Sequence, residues 1–333
     1  MSGFRLQASG SRKNGFTLVE LLLVISIIGI LTGVSVTVVR QAYHTARVSK
    51  TNVTLAKLDR VIMDMYADYE NRRVPSPNFG GSSLEAATVT QAARLWFLRD
   101  MIRMEMPCYR VEIEAPPAKF SFQYLNQAGT PQTTGFTSVA DSPLRQLYYR
   151  EIQKSNGNYE PAKCLYLVVM YGNPEVRELF TDGEIATDDD GLSYFVDGWG
   201  NPIYFLRWAP GLALSERQPN VGNWGDATEK AAVAERYPDP LDPTEVGGTV
   251  LPTSDFANGQ WVIDLVTPQH GWTLLPVVMS SGGVREEIFD DSFGIVLQPD
   301  VGVIPVVDPF NWPIGAPAAN PNYAVIHNHS ARR

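Results

Sequence analysis

Histidine and cysteine are scarce in this chain, with four and two in 333 residues. His44, His270, His327 and His329 are the full histidine set, and His327-Asn328-His329 is the one place where two stand close together. That pair is near the C-terminus, where fraying is usual. There is no G-x-S-x-G elbow, no H-E-x-x-H pair and no G-x-x-x-x-G-K-[ST] loop. Nothing therefore calls for an enzyme, and no catalytic residue is assigned. Basic excess is missing too: 27 Lys and Arg stand against 36 Asp and Glu, a formal charge of −9. That balance argues against nucleic acid as a main ligand. No internal repeat is apparent.

Two further absences carry more information. Between Leu21 and Val39 there is no charge, and between Arg40 and Asn71 there is neither proline nor glycine. The first stretch reads LLLVISIIGILTGVSVTVV, and its polar members Ser26, Thr32, Ser35 and Thr37 can bond back to a helix backbone. Phe16 to Val39 is 24 residues, roughly 36 Å of helix, enough to cross a hydrocarbon core about 30 Å thick. A buried core helix would rarely be apolar on every face over five turns. A secretory signal should have an apolar region of about 7–15 residues ending in a small-x-small site. The run here is longer and ends in Val38-Val39-Arg40-Gln41-Ala42-Tyr43, so a membrane span is expected. Arg5, Arg12 and Lys13 precede it, and Arg40, Arg47 and Lys50 follow. The charge bias is weak, but a short tail before the span and a large part after it favour a cytoplasmic N-terminus. Glu20 heads the run. An intramembrane carboxylate is normally retained for a partner, or it lies at the interface in the first helical turn, where the dipole favours it.

The segment Gly15-Phe16-Thr17-Leu18-Val19-Glu20-Leu21-Leu22 resembles the processing motif of type IV pilins and type II secretion pseudopilins. The resemblance covers about Lys13 to Val39. It implies that a prepilin peptidase cuts between Gly15 and Phe16 and N-methylates Phe16. It also implies that Glu20 governs assembly by pairing with the terminal amine of Phe16 on a neighbouring subunit. The implied partners are copies of this chain and other pilin-like subunits, an inner-membrane assembly platform and the lipid bilayer. The implied location is the inner membrane, single-pass, with the head exported, and a filament after assembly. One departure is visible: many family members carry a mid-helix proline, whereas Gly29 and Gly33 are the only helix-weakening residues here. Loss of the fifteen-residue leader removes three basic residues, leaving 24 Lys and Arg against 36 Asp and Glu, a balance of −12.

Beyond the span, Leu55, Leu58, Ile62, Met65 and Tyr69 recur at helical spacing, with Lys57, Arg60, Asp64, Asp68 and Glu70 off that stripe. One helix is expected from about Thr17 to Tyr69, roughly 80 Å long, its second half packed on the head. The expected organisation is a leader (1–15), a membrane and assembly helix (16–39), its amphipathic continuation (40–71) and an exported head (72–333). The expected class is α+β and pilin-like, with an antiparallel sheet on the head.

Within the head, Leu84–Met106 and Pro143–Gln153 read as helices, and Arg110–Ile113 and Phe120–Tyr124 as short strands. Pro161–Tyr171 fits either a helix or a buried strand. Ser193–Val196 and Pro202–Trp208 read as a β-hairpin around Asp197-Gly198-Trp199-Gly200-Asn201. Later strands are expected at Gln260–Val266, Thr273–Met279 and Gly294–Gln298, with loops over 209–258 and 299–322. The Asp197–Pro202 turn resembles a D-P-W-G-N-P-Y element of the major pseudopilins, with Gly198 where that family usually has proline. Ser280-Ser281-Gly282-Gly283 resembles their serine-glycine loop. Both favour pseudopilin over pilus pilin.

In that family a calcium ion often braces the C-terminal loop. Glu286, Glu287, Asp290 and Asp291 offer suitable oxygens, Asp290 and Asp291 being the candidate ligands; their spacing is not that of an EF-hand, and a solvated acidic loop is the more ordinary reading. Otherwise no cofactor is expected. Asp188-Asp189-Asp190-Gly191 has only a superficial likeness to a calcium loop. Cys108 and Cys164 are either a disulfide closing a long loop or two separate buried thiols. The competing functional reading is a membrane-tethered binding or enzymatic domain that uses the processing signal only as an anchor.

Overall fold

The computed structural model describes residues 18–75, 77, 79, 84–208, 217, 227–251, 259–266, 271, 273–280, 282 and 326–327. Packing divides the chain into two units, 1–47 and 48–333.

Helix α1 runs from Leu18 to Asp68, 51 residues, close to the expected limits. With no proline to interrupt it, its backbone bonds propagate through both Gly29 and Gly33. Ser26, Thr32 and Ser35 donate to the carbonyls four residues back, and Thr37 to the one three residues back. Their hydroxyls are thereby satisfied without water. In the first unit every described apolar side chain from Leu18 to Val39 is exposed. Among the described residues α1 is the one helix long and apolar enough to cross a membrane.

In the second unit α1 turns one face inward: Thr51, Thr54, Leu55, Leu58, Val61, Ile62 and Tyr66 are buried. The same unit contains α2 (Leu84–Glu105), α3 (Arg110–Glu114), α4 (Pro143–Ile152), α5 (Glu160–Gly172) and α6 (Ala227–Arg236). A four-stranded sheet has the order β2-β1-β7-β6, from β1 (Lys119–Leu125), β2 (Pro131–Thr133), β6 (Thr249–Leu251) and β7 (Gln260–Asp264). A hairpin pairs β3 (Ile185–Thr187) with β4 (Ser193–Phe195). A three-stranded sheet has the order β5-β8-β9, from β5 (Ile203–Leu206), β8 (Val277–Ser280) and β9 (Ile326–His327). The pairings are antiparallel except β1 with β7, where Phe120 lies beside Trp261 and Phe122 beside Ile263 in parallel register. The fold is α+β, a long N-terminal helix with a head of small sheets, as expected for a pilin-like chain. One core cluster links α1, α2, α5 and the sheets through Leu58, Trp96, Phe97, Phe120, Leu165, Val168, Phe195 and Phe205.

Arg110–Ile113 is helical, not a strand. The Arg110–Glu114 ion pair at 2.8 Å spans one helical turn, and Glu112 is drawn into the interior. Val111 and Ile113 had mimicked strand alternation over too short a window. Pro161–Tyr171 resolves as helix α5, started by Pro161 in its first turn. It shows no clear period because nearly all of Ala162–Met170 is buried. β4 and β5 do not form a hairpin with each other. A single bridge, Val196 to Pro202, joins them, and each then pairs with a different strand. The loop expected over 209–258 contains α6 and β6, and the Thr273–Met279 strand shortens to β8. Gly294–Gln298 and 299–322 lie outside the described residues.

Candidate functional site

The processing residues Gly15 and Phe16 lie outside the described residues. Glu20, the assembly candidate, lies in the first turn of α1. A carboxylate there faces the positive end of the helix dipole. The nineteen residues from Leu21 to Val39 that follow contain no ionisable group.

In the head, the two segments that resemble pseudopilin elements meet. Asp197 Oδ1 accepts the N–H groups of Trp199 and Asn201 at 2.8 and 2.9 Å. Its Oδ2 accepts the Ser280 hydroxyl at 2.7 Å. Ser280 Oγ in turn accepts the Gly282 N–H at 3.0 Å, and Asn201 Nδ2 donates to the Gly282 carbonyl at 2.8 Å. Gly200 and Gly282 both take positive φ, 88° and 64°, a conformation that favours glycine. The turn also touches α1: Gly198 N–H donates to Thr51 Oγ1 at 2.9 Å. A proline at this position would have no hydrogen to donate.

A second attachment to α1 was not anticipated. Glu184 Oε1 accepts the Thr54 hydroxyl at 2.7 Å, and both its oxygens accept from Lys57 Nζ at 2.9 and 2.8 Å. Thr181 caps from the other side in a reciprocal box with Glu184. Burial pushes the Glu184 carboxyl up, but Lys57, the Thr181 N–H and the hydroxyls outweigh it and hold it down to about 2. Lys50 Nζ donates to the Gly183 carbonyl at 2.7 Å. The Thr181-x-x-Glu184 spacing of a capping box was the one legible signal.

Cys108 and Cys164 are free and buried, so the candidate disulfide is absent. Cys108 Sγ instead accepts the Arg207 N–H at 2.9 Å. Glu112 accepts the Cys108 N–H at 2.6 Å and pairs with Arg207 at 2.6 Å, both side chains fully enclosed. Burial pushes the Cys108 thiol up to about 12, and raises Cys164 as well. These are unreactive thiols.

Asp188 and Asp190 turn an oxygen each toward Lys163. Asp290, Asp291, Glu286 and Glu287 lie outside the described residues, as do His270 and His329. His327 pairs through its backbone with Met279. Among the described residues no group of three or more His, Cys, Asp or Glu is placed to hold a metal.

The family model for the prokaryotic N-terminal methylation motif matches residues 10–36. No curated protein and no solved structure matches the chain. The chain thus carries a prepilin-type methylation signal running into one apolar helix suited to single-pass membrane anchoring.

Proposed function

We propose that the chain is a structural subunit of a type II secretion pseudopilus or a related pilus-like filament. The observation that carries this reading is the methylation motif over 10–36, continued by a helix whose apolar side chains from Leu18 to Val39 are exposed on every face. Prepilin peptidase cuts between Gly15 and Phe16 on the cytoplasmic side and methylates the new amine. The span holds the subunit in the inner membrane with its head outside, until an assembly platform adds it to other pilin-like subunits. A lone carboxylate is costly in a low-dielectric helix bundle, and a facing ammonium offsets much of that cost. Glu20 pairs with the N-methyl-Phe16 amine of a neighbour, so that register and charge balance are set by one contact. The junction of Asp197–Pro202 with Ser280–Gly282 supports the pseudopilin form of this reading over the pilus form. The head acts as a building block rather than as an enzyme.

Mass spectrometry of protein from a host containing the peptidase tests the processing step. A chain beginning at N-methyl-Phe16 is expected, and a chain beginning at Met1 refutes it. Glu20→Ala tests assembly. Cleavage is retained and incorporation into filaments falls at least tenfold, whereas unchanged incorporation points to a tethered domain that borrowed the signal as an anchor.

A further inference from the structure

Just past the uncharged run, α1 changes character. Arg40, His44 and Arg47 follow one another at spacings of four and three, so they share one helix face, and Tyr43 lies beside them on it. All four side chains are exposed, Tyr43 by 67%. No acidic residue occurs between Glu20 and Asp59, so over that stretch the helix carries positive charge alone. Lys50, the next basic residue along the chain, donates to the Gly183 carbonyl at 2.7 Å.

The level of this face in a bilayer follows from the span. Leu21–Val39 is nineteen residues, about 28 Å of helix, and it fills a hydrocarbon core about 30 Å thick. Arg40 is then the first residue past the core. Tyr43 and His44 lie roughly 5–6 Å further along and Arg47 about 10 Å. The headgroup layer is itself about 5–8 Å deep. Side chains on a helix lean toward its N-terminus, here toward the membrane, and a long arginine stem snorkels along apolar surface. The Arg47 guanidinium therefore reaches back to the level of the phosphates, where Arg40 already stands. Tyrosine favours the same level, its ring in the apolar zone and its hydroxyl in the wet one. A guanidinium presents paired donors that match phosphate oxygens, and a neutral histidine ring adds one N–H.

We propose that the Arg40–Arg47 face is a binding site for anionic phospholipid headgroups, phosphatidylglycerol being the simplest, with each arginine meeting a phosphate. Charge decides between lipid classes. A zwitterionic lipid brings its own cation beside its phosphate, whereas an anionic one leaves a net charge for the arginines to neutralise. Each basic residue at an anionic surface contributes about a fivefold preference. The proposal rests on the membrane span of the functional reading and on nothing else in it. Cleavage at Gly15 and pairing of Glu20 can both fail without touching it. In a filament-forming subunit the bound headgroups are released as the helix leaves the bilayer, which holds the unassembled pool in the membrane.

The test uses the full-length protein in mixed micelles holding equal amounts of phosphatidylglycerol and phosphatidylcholine, with retained lipids counted by native mass spectrometry. The proteins are wild type, Arg40→Gln, Arg47→Gln, the double variant, and Arg60→Gln as a control. Wild type retains phosphatidylglycerol over phosphatidylcholine by about 30-fold, each glutamine variant at 40 or 47 by about 5-fold, and the double variant retains both alike. Arg60 is 82% exposed and thirteen residues beyond Arg47, so Arg60→Gln leaves the preference at the wild-type value. The proposal is overturned if wild type shows no preference or if the double variant keeps it. It is also overturned if Arg60→Gln lowers the preference as much as Arg40→Gln does, since net charge and not this face would then select the lipid. A wild-type dimer in phosphatidylcholine alone that the double variant loses overturns it too, because the face would then be meeting the acidic head of a second copy.

Discussion

At the scale of single residues, the most informative position is Gly198. Its glycine looked like a departure from a family pattern, and the structure gives the departure a reason: the Gly198 N–H reaches Thr51 Oγ1. Gly198→Pro removes that donor and should lower stability by about 1–2 kcal/mol. In a Thr51→Val background the same substitution should cost less, because the acceptor is already gone. Urea midpoints of the four proteins measure this, and equal costs in both backgrounds would show that the hydrogen bond contributes nothing. The odd residue was visible in the sequence, but its partner was not, since 147 positions separate them. The same holds for the buried charges. Arg99, Arg103, Glu112, Lys163 and Arg207 are all enclosed, against the usual habit of these residue types. Most have a charged partner that only the fold supplies, such as Asp239 for Arg99 and Glu112 for Arg207, whereas Arg103 pairs with Asp100 one turn away on α2. The cysteines show the limit from the other side: two thiols in a domain expected to be exported suggest a bridge, yet Cys108 is used as an acceptor for a backbone N–H.

At the scale of elements, α1 was the most legible part of the chain because its signals are long. The run without charge marked its first half. The recurrence of Leu55, Leu58 and Ile62 marked the buried face of its second, which Thr51, Thr54, Val61 and Tyr66 widen. Short elements were less legible: α3 has five residues and β4 three, too few for a period to show. Beside that apolar face, polar clasps fasten α1 and the turn that follows it to the rest of the head. Glu105 gathers the Tyr69 hydroxyl, the Arg72 guanidinium and the Ser142 hydroxyl, and Glu184 gathers Thr54 and Lys57. The Glu184 carboxyl is held down to about 2 in the folded head, below its ordinary value of about 4.3. A depressed carboxylate contributes stability that is complete above the ordinary value and lost as pH falls through the folded one. Glu184→Gln should therefore destabilise the head by about 1–3 kcal/mol at neutral pH. The gap between variant and wild type should hold down to about pH 4.5 and close toward pH 2. Chemical denaturation across that range tests it, and a gap that does not change with pH would remove Glu184 as the ionised centre of the clasp.

At the scale of the whole molecule, the two units differ in what solvent they require. Every residue of the core cluster belongs to the unit 48–333, while the described residues of the other unit up to Val39 expose Leu, Ile and Val on all sides. A contiguous apolar surface of that kind associates with lipid, detergent or other copies of itself. Removing residues 1–47 takes away that surface without deleting any residue of the core cluster. The shortened chain should be soluble in buffer without detergent and should melt cooperatively, within a few degrees of the full-length protein in micelles. Leu58→Ala, by contrast, empties a fully buried position on α1 and should cost about 2–5 kcal/mol in either form, a fall of roughly 4–20 °C in a domain of this size. Calorimetry of the four proteins separates the alternatives. If the shortened chain aggregates or melts without a transition, the first unit contributes to folding the head as well as to anchoring it. If it melts normally and Leu58→Ala is neutral, the face of α1 that carries Leu58 does not hold the head together.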